Sequence, residues 1–157
     1  MNTSLRRSLA ATTATLALGL GIAVSGPVPA AHATAAECER GANGFVDISD
    51  DLGGREARAV DLGGGVWVTL EYGQVSGAQR GWAKIRGSGT RNGDLVWMDW
   101  TTTGGNGWLQ CGPFSVDRGA GTSKTSAAKT TSSSPAYQFR ACGKRLSVGQ
   151  SKCTSWW

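Results

Sequence analysis

The one histidine of the chain, His32, lies at the end of a stretch that reads as a removable export signal. Without it the protein lacks the commonest general base and the commonest nitrogen ligand for a metal. A serine triad is then impossible, and no Gly-x-Ser-x-Gly elbow occurs. Acid–base chemistry would have to run on carboxylates, for which Glu71, Asp94 and Asp99 are the candidates. Nothing in their spacing pairs them, so catalysis is not the expected activity. The acidic run Asp47-Ile48-Ser49-Asp50-Asp51 offers oxygen ligands of the kind calcium takes, without the full pattern of a calcium loop. It reads as a solvated acidic turn, and no metal or cofactor is expected.

Tryptophan is the richer chemistry. Seven of them, Trp67, Trp82, Trp97, Trp100, Trp108, Trp156 and Trp157, are many for so small a chain. Each can bury extensive apolar area or present a flat face to a sugar or a partner. Trp97 and Trp100 are three apart, so in a strand they face opposite sides. Trp156 and Trp157 face the same constraint in an extended tail. One member of each pair is therefore left for a surface, and Trp100 and Trp157 are assigned to it.

The elements that must position these groups begin after the signal. Arg6 and Arg7 precede the apolar run Leu9 to Val24, and Ala31-His32-Ala33 supplies a small-x-small cleavage site. Residues 1–33 are expected to be removed, with Ala33-Thr34-Ala35 as the alternative site. Loss of the signal removes Arg6 and Arg7 from 16 basic residues and nothing from 11 acidic ones, leaving a net charge of +3. That is too mild and too scattered for a nucleic-acid stripe. The body, 34–157, is one domain of ordinary size, expected outside the cell with no stable membrane anchor.

Four cysteines in an exported chain read as two disulfides. Three pairings are open; the short loop between Cys142 and Cys153 favours that pair, leaving Cys38–Cys111 to tie the N-terminus to a sheet. The loop so closed, Gly143 to Lys152, would present Lys144 and Arg145 as basic anchors.

Two-residue alternation bounded by glycines runs through the body, with almost no helical periodicity. Strands are expected at Phe45–Ile48, Ala57–Leu62, Val66–Tyr72, Gly81–Ile85, Leu95–Trp100, Trp108–Phe114 and Tyr137–Cys142. Asn92-Gly93 signals a tight hairpin, and the Ser/Thr-rich stretch 119–135 a loop or edge strand. The sum is a small antiparallel β-sandwich or barrel.

The segment Thr101 to Trp108 (TTTGGNGW) resembles the Asp-box turn of secreted β proteins, with Thr101, Gly105 and Trp108 matching and Thr103 standing at the aspartate position. The resemblance implies a structural turn with Trp108 packed beneath it, in the core. The segments GWAKIRG (81–87), GDLVWMDW (93–100), GWLQCGPF (107–114), FRACG (139–143) and the closing Cys153-Thr-Ser-Trp-Trp resemble a group of small secreted actinobacterial proteins. That resemblance covers about half the chain. It implies export and two disulfides, and carries no catalytic or binding residue across.

The functional expectation is a secreted, non-catalytic binding protein for polysaccharide or envelope polymer. The rival is a small inhibitor of a secreted enzyme, docking through the 143–152 loop, since a stapled loop loses less entropy on binding.

Overall fold

The computed structural model describes residues 31–157. The expected export signal lies outside that range except for its last three residues. The fold is all-β, with two sheets packed face to face. One sheet holds five strands in the order β1 (Ala31–Ala33), β7 (Leu109–Ser115), β6 (Leu95–Thr101), β10 (Gln138–Lys144) and β11 (Ser151–Cys153). The other runs β2 (Phe45–Val46), β9 (Ala128–Thr130), β5 (Ala78–Arg86), β4 (Val66–Val75) and β3 (Arg55–Gly63), with β8 (Lys124–Thr125) also pairing β5. All pairs are antiparallel except β1 with β7.

Alternation builds the core. Val66, Val68 and Leu70 of β4 and Ala83 and Ile85 of β5 point inward and are fully buried. Val96 and Met98 of β6 and Phe139 and Ala141 of β10 meet them from the other sheet. The sheets approach closely where glycine permits it. A side chain at Gly143 would run into Val68 and stand 2.9 Å from the Leu95 carbonyl oxygen. At Gly81 a Cβ would lie 3.2 Å from the Phe139 ring.

The outward residues of β4 and β5 are not all in water. Trp82 is buried beneath the loop before β3, where Gly54 lies against its ring. The same loop accepts a hydrogen bond from Lys84 Nζ at the Leu52 carbonyl, 2.8 Å. Its Gly54 N–H donates to Glu71 at 3.0 Å.

The two disulfides form as the loop lengths favour. Cys38, on the single-turn helix α1 (Ala35–Glu39), bonds Cys111 of β7, and Cys142 of β10 bonds Cys153 of β11. Thr34 caps α1 in a reciprocal box: the Glu37 N–H donates to the Thr34 hydroxyl, and the Thr34 N–H donates to the Glu37 carboxylate at 2.8 Å.

Two expectations need correction. The Asn92-Gly93 turn exists, but β5 and β6 on either side of it belong to different sheets, so it is a crossing and not a hairpin. Asp94 braces it: buried, it accepts hydrogen bonds from the N–H of Arg91 (2.9 Å) and of distant Leu146 (3.0 Å). The Ser/Thr-rich stretch, expected as a loop or edge strand, holds strands β8 and β9, and β9 lies between β5 and β2 rather than at an edge, while residues 132–135 are exposed. The Ser126 N–H donates to the Ala83 carbonyl at 2.8 Å, the Ala83 N–H donates to the Ser126 hydroxyl at 2.9 Å, and Thr125 to Lys129 are buried. Small side chains let this segment lie flat between β5 and β2.

Replacing Gly143 by Ala should cost about 1–3 kcal/mol, the usual penalty for overpacking a tight contact. Urea unfolding measures it; a variant as stable as the parent would mean that the sheets stand farther apart here.

Candidate functional site

At one end of the sandwich, β6 leads into β7 through the Asp-box-like turn. Two threonine hydroxyls organise it. Thr101 Oγ1 donates to the Gly107 carbonyl at 2.7 Å and accepts from the N–H of Thr103 (3.1 Å) and Gly105 (3.3 Å). Thr103 Oγ1 donates to the Asn106 carbonyl. Thr103 thus does with a hydroxyl part of what the motif's carboxylate would do. This turn forms one wall of a cleft of about 280 Å³ lined by Trp100, Thr101, Thr102, Thr103, Asn106 and Trp108.

Trp100 is the inward member of its pair, half-buried rather than freely exposed as assigned from sequence. Its ring meets Phe45 edge-on at 6.4 Å and Tyr137 at 5.7 Å, and the Lys129 ammonium sits 4.0 Å from its centroid. Trp97 is the outward member. Lys129 is itself buried and donates to the Asn43 carbonyl. Burial, with a smaller push from Arg80, holds its amine below the ordinary lysine range.

Tyr137 connects this cleft to a second one, of about 140 Å³, lined by Gln79, Thr131, Ser132, Tyr137, Phe139 and Trp157. Burial raises the Tyr137 phenol above its ordinary value, and its hydroxyl donates to the Thr130 carbonyl at 2.8 Å. Trp157 is also half-buried; its ring stacks on Tyr72 at 4.9 Å and 25°. Its backbone is locked to Phe139 by two hydrogen bonds of 2.9 Å each. Trp100 and Trp157 therefore line adjoining clefts and do not form one flat platform.

Trp108 is not the core residue that the turn motif implies. It is half-buried beside Trp156, with ring centroids 6.3 Å apart, and the Arg140 guanidinium lies 4.6 Å from each ring. Arg140 Nε donates to Asp99 at 2.8 Å. The Arg140 charge attracts both indoles, which keeps Trp108 on the outer face of the sheet.

The remaining sequence candidates are separated. Glu71 lies on the outer face of one sheet, accepting from Gly54 N–H and the Thr69 hydroxyl. Asp99 lies on the outer face of the other, and Asp94 is spent on its turn. No two of these acids flank a common space. Asp50, the buried member of the acidic run, is already matched by Lys124 (3.2 Å) and Arg118 (3.5 Å) and accepts from Thr125 N–H. Arg145 is folded back, donating to the Gly63 carbonyl at 3.0 Å, so it is not a free anchor; Lys144 ends β10 half-exposed.

Sequence reasoning missed Gln79, Thr131, Ser132 and Tyr137, which only the β5–β9 pairing and the C-terminal tail bring together. It also missed Arg140. Its position opposite Asp99 follows from the β6–β10 register, which no local signal announces.

No protein-family model matches the chain, and neither the curated proteins nor the solved structures hold a significant match. The functional argument therefore rests on the site itself.

The lowered Lys129 value has a pH signature. Between its folded-state value and the ordinary 10.5, the unfolded chain holds a proton that the folded chain has released. Unfolding free energy must then rise with pH across that window. Relative to Lys129→Met, the parent should gain stability as pH climbs from 7 toward 10.5. Chemical denaturation at several pH values measures it, and a pH-independent gap would contradict the desolvated amine.

Proposed function

We propose that the mature chain is a secreted, non-catalytic binding protein whose ligand is a polysaccharide or envelope polymer. One observation carries this reading. The two adjoining clefts are walled by aromatic rings with Leu109 and Gly107, and otherwise lined by neutral hydroxyl and amide groups. Tyr137 is the one ionisable side chain among them, and burial keeps it neutral. Flat apolar faces beside hydroxyl and amide groups match a sugar ring, which has apolar faces and a hydroxyl rim. The same lining offers no acid–base pair.

Trp157→Ala should weaken binding to chitin, cellulose or peptidoglycan about ten-fold, the equivalent of ~1.4 kcal/mol. Loss of the ring stacked on Tyr72 should cost about 0.5–1.5 kcal/mol of stability. Pull-down on the insoluble polymers and thermal unfolding separate the two effects. Failure of the parent to bind any of them would end the carbohydrate reading.

Secretion belongs to the same proposal. Two disulfides place folding in an oxidising compartment. Among the described residues no helix is long and apolar enough to cross a membrane. Cleavage after Ala33 leaves the Thr34–Glu37 cap of α1 whole, whereas cleavage after Ala35 destroys it. Intact mass of the protein from culture medium should show Thr34 as the first residue; a species retaining residues 1–33 would contradict this.

The inhibitor reading keeps one observation of its own. Leu146 and Val148, 56% and 55% exposed, stand on the loop closed by Cys142–Cys153. A panel of secreted hydrolases tests it, with Leu146→Ala as the variant that should lose inhibition.

A further inference from the structure

The two disulfides have different surroundings. Cys38 and Cys111 are both fully buried, and nothing that titrates is bonded to them. In the other bridge Cys142 is fully buried while Cys153, on the edge strand β11, is exposed. Beside it lies the Asp99 carboxyl, 2% exposed, with Oδ2 3.7 Å from Cys142 Sγ. A carboxyl oxygen and the two sulfurs lie within 4.8 Å of one another.

Asp99 is half-satisfied. Oδ2 accepts from Arg140 Nε, but Oδ1 is buried with no hydrogen-bond partner. Leaving a buried carboxyl oxygen unpaired is costly, and neither the clefts nor the core packing uses it. Its neighbours across the sheet are Arg140 of β10 and Gln110 of β7; His32 of β1, on the far side of Gln110, belongs to the segment that cleavage after Ala33 removes. Burial outweighs the opposing hydrogen bond and charge of Arg140 and raises the Asp99 carboxyl above its ordinary range. A carboxyl so placed can hold a proton next to a sulfur and give it up.

We propose that Cys142–Cys153 is an exchange-reactive disulfide, with Asp99 as the proton donor and acceptor for Cys142, and that it oxidises dithiols on other secreted proteins. A thiolate of the dithiol attacks the exposed Cys153 sulfur. The Cys142–Cys153 bond breaks, its electron pair leaves on Cys142, and the Asp99 carboxylic acid protonates that sulfur. The second thiolate of the dithiol then attacks its own partner sulfur in the mixed disulfide and releases Cys153. The dithiol has lost two electrons and becomes a disulfide; the protein pair has gained them. The two protons of the dithiol end on Cys142 and Cys153, with Asp99 reloaded from solvent. In the reverse direction Asp99 accepts the Cys142 proton and creates the attacking thiolate.

The test uses the secreted protein, treated with graded dithiothreitol as the dithiol, quenched by alkylation and mapped by mass spectrometry. Cys142 and Cys153 should be labelled first, with Cys38–Cys111 intact and the circular dichroism unchanged. Asp99→Asn should slow this reduction about ten-fold and remove the carboxyl inflection from its pH–rate profile. Where that variant does not fold, two others decide. Cys142→Ser should let Cys153 react with 5,5′-dithiobis(2-nitrobenzoate), forming a mixed disulfide and releasing one 5-thio-2-nitrobenzoate, whereas Cys153→Ser should leave Cys142 protected. The proposal fails if both bridges reduce together with unfolding. It fails equally if folded Asp99→Asn keeps the parent's rate and pH profile, or if the two serine variants react alike.

Discussion

The ladder between β10 and the C-terminal segment Ser151–Trp157 fixes nearly everything of functional interest. Cys153 is held opposite Cys142, Thr154 N–H donates to the Ala141 carbonyl at 2.8 Å, and Trp157 and Phe139 exchange backbone hydrogen bonds. Seating Trp157 this way stacks its ring on Tyr72 and closes one cleft. The residue before it is turned outward, and Trp156 meets the Arg140 guanidinium. Without this ladder the tail would be a short polar strand with two free indoles, and neither the second cleft nor the disulfide would have its present neighbours.

The same strand joins two electrostatic environments. On its outer face Arg140 donates to the buried Asp99, and its loss would leave that carboxyl without the donor it has. On its inner side the fold buries a second cation, Lys129, among Phe45, Trp100 and the Asn43 carbonyl, with no carboxylate bonded to it. Aromatic faces and a carbonyl offset only part of that desolvation, which explains the lowered amine. Both cations brace the aromatic walls: one from behind Trp100, the other between Trp108 and Trp156.

Alternation made most of the fold legible from sequence. Each expected strand is present with ends shifted by a few residues, because inward and outward positions differ so plainly in β4, β6 and β10. The parity argument for Trp97/Trp100 and Trp156/Trp157 also holds, since each pair does split between faces. Parity could not say which member faces water. That depends on what covers each face, and the covering groups (Tyr72, Tyr137, Lys129, Arg140) come from strands remote in sequence. The Asn92-Gly93 signal reports local chain reversal and not the choice of sheet, and the contacts that hold this crossing, Asp94 to Leu146 and Gly93 to Val116, come from residues remote in sequence. Trp108 shows how a turn motif carries over as backbone geometry without its usual side-chain burial. The stretch 119–135 was obscure because small polar residues look alike in an exposed linker and in a tightly packed inner strand.

The central claim is that sugar rings sit against Trp100 and Trp157 in the end clefts. The most direct measurement is a titration of the isotope-labelled protein with soluble oligomers of chitin, cellulose or peptidoglycan, following the indole N–H resonances. Each tryptophan reports separately. The account predicts shifts at Trp100, Trp108 and Trp157, while Trp82, buried under the Gly54 loop, and Trp67, exposed on the far sheet, stay in place. Shifts confined to Trp67, or no shift at any indole with every oligomer, would contradict it.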